Sequence, residues 1–295
     1  MAGAAQLGFV EACWRALVLG AVQGLTEFLP ISSTAHVQVV PMLLGWGDPG
    51  VSVIAVIQLG SIAAIVGYFW GDLAQVLRGV SRALREGRWS STEARLGIAI
   101  ATGTIPIVLV GMAIKLWVPD YDNSPLRSLP AVAIVSIVMA LLLALAELVG
   151  RRRRHLDDVR PRDGWIVGLA QALAVIPGVS RSGSTLTASL LDGWERPAAA
   201  RFSFLMGIPA ITLAGVVELR NAFSGPGSPG INGPAMADIG ALPMLLGIVV
   251  SAVVSWLSIA WLLRFLQHHS TWAFVIYRLA FGVAILFWLR GTVVG

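Results

Sequence analysis

Two short polar clusters interrupt otherwise apolar stretches of the chain. The first is GLTEFLPISSTAH (24–36), preceded by Gln23, and it gathers a carboxylate, hydroxyls and an imidazole as Glu27, Ser32, Ser33, Thr34 and His36. Gln23 and Glu27 are four apart, so on a helix they share a face, and Pro30 then breaks that helix. The second cluster is PGVSRSGST (177–185), which sets Ser180, Arg181, Ser182, Ser184 and Thr185 around Gly178 and Gly183. Hydroxyls and free N–H groups at the start of a following helix make an anion cradle. The forked guanidinium of Arg181 matches phosphate oxygens. A phosphate clamp facing a nucleophile and a proton acceptor is what phosphoryl transfer needs.

The elements that must hold these clusters are membrane helices. Of 295 residues, 56% are hydrophobic and only 13% charged, with a mean hydropathy of +0.78. Soluble domains carry about 25% charged residues, so composition excludes a disordered chain and argues against an ordinary soluble domain. The expectation is an all-α polytopic membrane protein. Ordinary spans are expected at about 50–70, 94–118, 129–150, 198–219, 238–266 and 271–291, each long enough for a hydrocarbon core of ~30 Å. Trp46, Trp70, Trp117, Trp165, Trp272 and Trp288 fall near the ends of apolar segments, as an interfacial belt would place them. The net charge of +5 is carried by arginines, with Lys115 the lone lysine. In a membrane protein this reads as loop and lipid-facing charge rather than nucleic-acid binding. The single Cys13 excludes an intrachain disulfide.

The segments at about 8–46 and 164–192 are apolar but broken by the two clusters. A break inside lipid leaves backbone groups unsatisfied unless protein or a watery cavity surrounds it. Both therefore read as re-entrant hairpins. The 71–95 loop carries Arg78, Arg82, Arg85, Arg88 and Arg95, and the 151–163 loop carries Arg151 to Arg154, Arg160 and Arg162. The connections at about 119–128 and 220–238 hold only Arg127 and Arg220. The positive-inside rule places the first two loops in the cytoplasm. The chain then becomes a hairpin plus three spans (1–150) followed by an oppositely oriented hairpin plus three spans (151–295), with both termini outside. Such an inverted-topology repeat sets a site near the midplane between its halves.

GLTEFLPISSTAH and PGVSRSGST resemble the two signature motifs of the bacterial undecaprenyl-pyrophosphate phosphatases, the bacitracin-resistance family. VIQLGS (56–61), RFSFLMGIP (201–209) and VIYR (275–278) extend the resemblance along nearly the whole chain. Gln23 stands where the family has Glu or Gln, leaving Glu27 as the one carboxylate of that motif, and Ala35 replaces a common Gly. The resemblance implies hydrolysis of a C55 isoprenyl pyrophosphate to the monophosphate carrier lipid and inorganic phosphate, at the outer face of the bacterial plasma membrane. It implies Ser33 as candidate nucleophile, with His36 and Glu27 in acid/base or metal-related roles. Ser32, His36 and water remain open as the attacking group. Arg181 would hold the pyrophosphate, helped by Ser180, Ser182, Thr185 and Ser32. A divalent cation, Mg²⁺ or Ca²⁺, is implied, with Glu27 and Gln23 as oxygen ligands. The partners expected are the lipid substrate and membrane lipids, with a homodimer left open.

The main rival is a transporter or flippase of a phosphorylated isoprenyl lipid, since inverted repeats and broken helices are a transporter design. The Ser33, His36 and Glu27 set favours the enzyme, because binding alone needs no nucleophile and base. A phosphohistidine phosphatase is excluded: its pattern wants a Lys and an Arg-Pro motif with a Ser-Arg followed by His, whereas the only lysine is Lys115 and no His follows Ser180-Arg181 before His268. Glu147 is expected to pair with the 151–154 arginines, themselves a topology anchor. Arg278 is expected in an ion pair inside the last span or in a supporting role at the site. Gln58 and Ser61 either line the site or pack helices.

Overall fold

The computed structural model describes residues 8–118, 121, 124–223 and 240–294, and among these eleven α-helices make up the fold. The first four are α1 (Phe9–Thr26), α2 (Ser33–Leu43), α3 (Val51–Tyr68) and α4 (Trp70–Glu86). Next come α5 (Thr92–Trp117), α6 (Leu129–Val149), α7 (Pro161–Ala172) and α8 (Arg181–Leu191). The last three are α9 (Arg196–Phe223), α10 (Ala241–His268) and α11 (Trp272–Val294). Five of them, α5, α6, α9, α10 and α11, are long and apolar enough to cross a membrane, and α3 with α4 makes a sixth candidate bent by 64°. The chain is an all-α polytopic membrane protein, with spans close to those expected from hydropathy. Most of the 220–238 connection lies outside the described residues.

Two loops expected from the sequence are more ordered than anticipated. Residues 71–86 of the 71–95 stretch belong to α4, because Val76, Val80 and Ala83 recur at helical spacing against α5 while Arg78, Arg82 and Arg85 share the opposite side. In the 151–163 stretch, Arg154 ties the segment to its neighbours. It donates to Asp163 at 2.5 Å, to Asp192 and to the Asp158 carbonyl, and stacks over the buried Trp194. Glu147 does pair with the arginine run through Arg152 at 3.0 Å, and also accepts from Arg196.

Close approach through small residues positions the broken helices. A Cβ added to Gly20 of α1 would lie 2.5 Å from the Gly247 carbonyl oxygen of α10, and one added to Gly24 would lie 2.8 Å from the Ser251 oxygen. On the other side, a Cβ added to Gly168 of α7 would lie 2.6 Å from Gly103 of α5. Small residues let backbones approach where lipid supplies no hydrophobic drive between helices. Ser61, buried in α3, bonds Ser251 at 3.0 Å and Ser255 at 2.9 Å, so it packs helices and does not reach the site.

Candidate active site

Both polar clusters become helix breaks. After α1, Glu27 caps the helix and Pro30 cannot continue it, so the chain turns through 27–32 and restarts at Ser33. After α7, a 3-10 turn at Leu173–Val175 leads through Pro177 and Gly178 (φ 92°) to α8. The residue before each new helix is a serine in left-handed backbone, Ser32 with φ 75° and Ser180 with φ 69°. Only one other described non-glycine residue, Arg152, has positive φ. Such conformations are costly and persist where surrounding structure enforces them. Ser180 is held partly by its own side chain, which accepts from the Gly183 amide at 3.1 Å.

The two breaks face each other across a cavity of about 170 Å³. Glu27, Ser32 and Ser33 line it from one break, and Ser180 and Arg181 from the other, with Gln58 of α3 and Glu218 of α9 completing it. Glu27 is the hub. One carboxylate oxygen accepts from the Ser33 hydroxyl at 2.6 Å and from the Gln23 amide at 3.0 Å, while the other accepts from Arg181 at 3.3 Å. A serine hydroxyl donating to a carboxylate beside a guanidinium is an arrangement that can supply a nucleophile, an acceptor for its proton and a cation for a phosphate.

Four expected site residues sit elsewhere. Gln23 is buried behind Glu27 with its amide committed to that carboxylate, and it does not line the cavity. Ser182 donates to the Leu29 carbonyl at 2.9 Å, joining the two breaks rather than reaching the cavity. Thr185 is fully buried, bonded to the Arg181 carbonyl at 2.8 Å and to Ser203. His36 hydrogen-bonds to neither Ser33 nor Glu27. Its Nδ1 is 2.7 Å from the Ser32 carbonyl oxygen and its Nε2 is 2.7 Å from the Tyr277 hydroxyl, with Phe281 stacked on the ring. A carbonyl only accepts, so Nδ1 carries the proton, and in the neutral ring Nε2 accepts from Tyr277. These side chains belong to α-helices whose rotation about their axes turns them into the protein.

Three residues of the site escaped the sequence reading. Glu218 sits in an apolar span, where a carboxylate is itself a functional signal. Gly207 of α9 lies against Arg181, so close that an added Cβ would collide with Nη1. Tyr277 holds His36 and carried no signal beyond its place in VIYR.

The family model for bacitracin resistance protein BacA matches residues 16–284. The chain is 68% identical over 286 residues to the undecaprenyl-diphosphatase of Synechococcus sp. (strain RCC307), covering 97% of this chain and 96% of the relative. It is 66% identical over 285 residues to the undecaprenyl-diphosphatase of Parasynechococcus marenigrum (strain WH8102), covering 96% of each. That of Prochlorococcus marinus (strain MIT 9303) is 65% identical over 279 residues, covering 95% of this chain and 92% of the relative.

Proposed function

The chain belongs to the BacA family of bacitracin resistance proteins, and from that premise we propose that it hydrolyses undecaprenyl pyrophosphate to undecaprenyl phosphate and inorganic phosphate. This recycles the carrier lipid for cell-wall synthesis. The observation that carries the reading is the Ser33 hydroxyl donating to Glu27 at 2.6 Å beside Arg181. Glu27 takes the Ser33 proton as Oγ attacks the terminal phosphorus, and the bond to the bridging oxygen breaks. Undecaprenyl phosphate leaves, and water then cleaves the phosphoserine, returning phosphate and the free hydroxyl. Arg181 binds the equatorial oxygens through both stages. General-base help of this kind contributes roughly 10²–10⁴-fold.

The free N–H groups at the starts of α2 and α8 support the same reading, since they add positive potential at two edges of one cavity. Charge supports the need for a cation. Two carboxylates, Glu27 and Glu218, line the cavity with Arg181, and a pyrophosphate adds further negative charge. These hard oxygen donors fit Mg²⁺ or Ca²⁺, with Glu27, Glu218 and phosphate oxygens as ligands and Gln23 steadying Glu27 from behind. The bound ion would neutralise charge developing on the phosphoryl oxygens.

The placement we infer is a bacterial plasma membrane with the cavity opening to the outer face. The two halves act as inverted repeats, each contributing one re-entrant hairpin. Support comes from α1 packing on α10 as α7 packs on α5 through glycines, and from the matching serines Ser32 and Ser180.

The test is phosphate release from undecaprenyl pyrophosphate by detergent-purified protein with Mg²⁺, Ca²⁺ or EDTA, beside Ser33→Ala and Arg181→Ala. Metal-dependent release lost in both variants is expected. Activity kept in Ser33→Ala moves attack to Ser32, which also lines the cavity, or to water with Glu27 as its base. A folded wild type that binds the lipid without releasing phosphate would sink the enzyme and leave a flippase.

A further inference from the structure

The last helix, α11, carries an arginine with an unusual set of partners. Arg278 is fully buried and has no carboxylate within ion-pair reach among the described residues. It instead reaches three backbone carbonyls at the two breaks. Nη1 is 3.2 Å from the Pro30 oxygen and 3.2 Å from the Val179 oxygen, while Nη2 is 2.7 Å from the Gly178 oxygen and 3.2 Å from Val179. Gly183 makes the room, since an added Cβ would lie 2.8 Å from Nη1. A buried guanidinium without a counter-ion is costly, so its retention asks what those carbonyls gain.

Peptide geometry supplies the answer. Across a planar trans peptide the C=O and the following N–H point in opposite directions. With the Val179 carbonyl turned toward Arg278, the Ser180 amide is turned away from it. The neighbouring residue repeats the arrangement on the other break: Tyr277 holds His36, and His36 holds the Ser32 carbonyl at 2.7 Å. The Ser33 amide is thereby turned away from His36. Ser33 and Ser180 both line the cavity, and neither amide has a hydrogen-bond partner among the described residues.

We infer that Tyr277 and Arg278, adjacent on α11, are positioning residues for phosphoryl transfer, acting through the Ser32 and Val179 carbonyls to fix the Ser33 and Ser180 amides as donors to the substrate phosphates. The inference rests on the phosphatase reading. It assigns His36 the task of holding a peptide in place of taking the Ser33 proton. Fixed donors aimed where charge develops stabilise the transition state more than the ground state. Their loss falls on kcat.

The experiment is steady-state hydrolysis of undecaprenyl pyrophosphate by purified wild type, Arg278→Met, Arg278→Lys and Tyr277→Phe, with thermal unfolding of each. Wild-type turnover comes first, so an inactive wild type condemns the phosphatase reading separately. Arg278→Met should lower kcat by roughly 10²-fold with KM within a few-fold, the scale of losing one such donor. Arg278→Lys should not restore it, because a single ammonium nitrogen lacks the planar fork whose two nitrogens reach the carbonyls of both breaks. Tyr277→Phe, which deletes one hydroxyl from a half-exposed side chain, should lower kcat by about 10-fold at unchanged KM, the scale of losing a partner that orients a site group. Arg278 variants that fold and keep kcat within about threefold of wild type overturn the inference. If they do not fold, Tyr277→Phe decides it, and an unchanged kcat there overturns it.

Discussion

Gly207 of α9 lies directly against the guanidinium of Arg181, leaving no room for a side chain between them. The glycine therefore sets where the Arg181 guanidinium can lie although it carries no functional group. Gly207→Ala should push Arg181 away from Glu27 and the cavity. We expect kcat/KM for undecaprenyl pyrophosphate to fall by roughly 10²-fold, the scale of losing a charged contact of about 1.5–3 kcal/mol. The Gly207→Ala/Arg181→Ala double variant should be little worse than Arg181→Ala alone, since both act on one interaction. Steady-state kinetics of the three variants checks this, and full additivity would show that Gly207 acts elsewhere.

Ser182 and Arg181 are sequence neighbours with different tasks. Arg181 lines the cavity, whereas the Ser182 hydroxyl ties the second break to the Leu29 carbonyl. Ser182→Ala should cost about 0.5–1.5 kcal/mol of stability and leave kcat/KM within a few-fold of wild type. Thermal unfolding beside phosphate release separates the two effects. A loss of activity as large as that of Arg181→Ala, in a stably folded variant, would return Ser182 to the substrate.

The division between Ser182 and Arg181 shows where sequence reading stops. The breaks themselves are legible, because Pro30, Pro177 and the surrounding hydroxyls interrupt stretches that are otherwise apolar. The spans are legible from hydropathy. Which residues of a broken helix meet the cavity depends on the phase at which α2 and α8 restart, and each successive side chain turns by about 100°. Ser33 and Arg181 therefore face the cavity while His36, Ser182 and Thr185 turn into protein. Glu218 sits in an ordinary-looking span, and its place on the same cavity as Glu27 needs the rotation of α9, which packing sets. Arg278 is harder still. Its partners are carbonyl oxygens of Pro30, Gly178 and Val179, and every residue has a carbonyl.

Glu147 gives the contrasting case of a buried carboxylate outside the cavity. It accepts from Arg196 at 3.0 Å, from Arg152 at 3.0 Å and from the Thr271 hydroxyl at 2.8 Å, joining α6, α9 and the start of α11. Glu147→Ala should destabilise by roughly 2–3 kcal/mol, below the ~3–5 of a fully buried pair because both arginines are partly solvated. The kcat of the protein that remains folded should stay within about twofold. A thermal melt paired with activity per folded molecule measures both, and unchanged stability would mean the cluster contributes nothing.

Glu218 and Gln23 should differ in their effect on cation dependence. If Glu27 and Glu218 share the ion, Glu218→Gln removes one of two protein carboxylates facing the cavity. The Mg²⁺ concentration for half-maximal activity should rise by about 10-fold, with activity partly recovered at high Mg²⁺. Gln23→Leu removes only the donor behind Glu27 and should move that midpoint far less. Mn²⁺ binding followed by electron paramagnetic resonance supplies a readout independent of turnover. Glu218→Gln should weaken the bound signal and EDTA should abolish it in the wild type. Equal Mn²⁺ affinity in wild type and Glu218→Gln would remove Glu218 from the ligand set and leave Glu27 with the substrate phosphates to hold the ion.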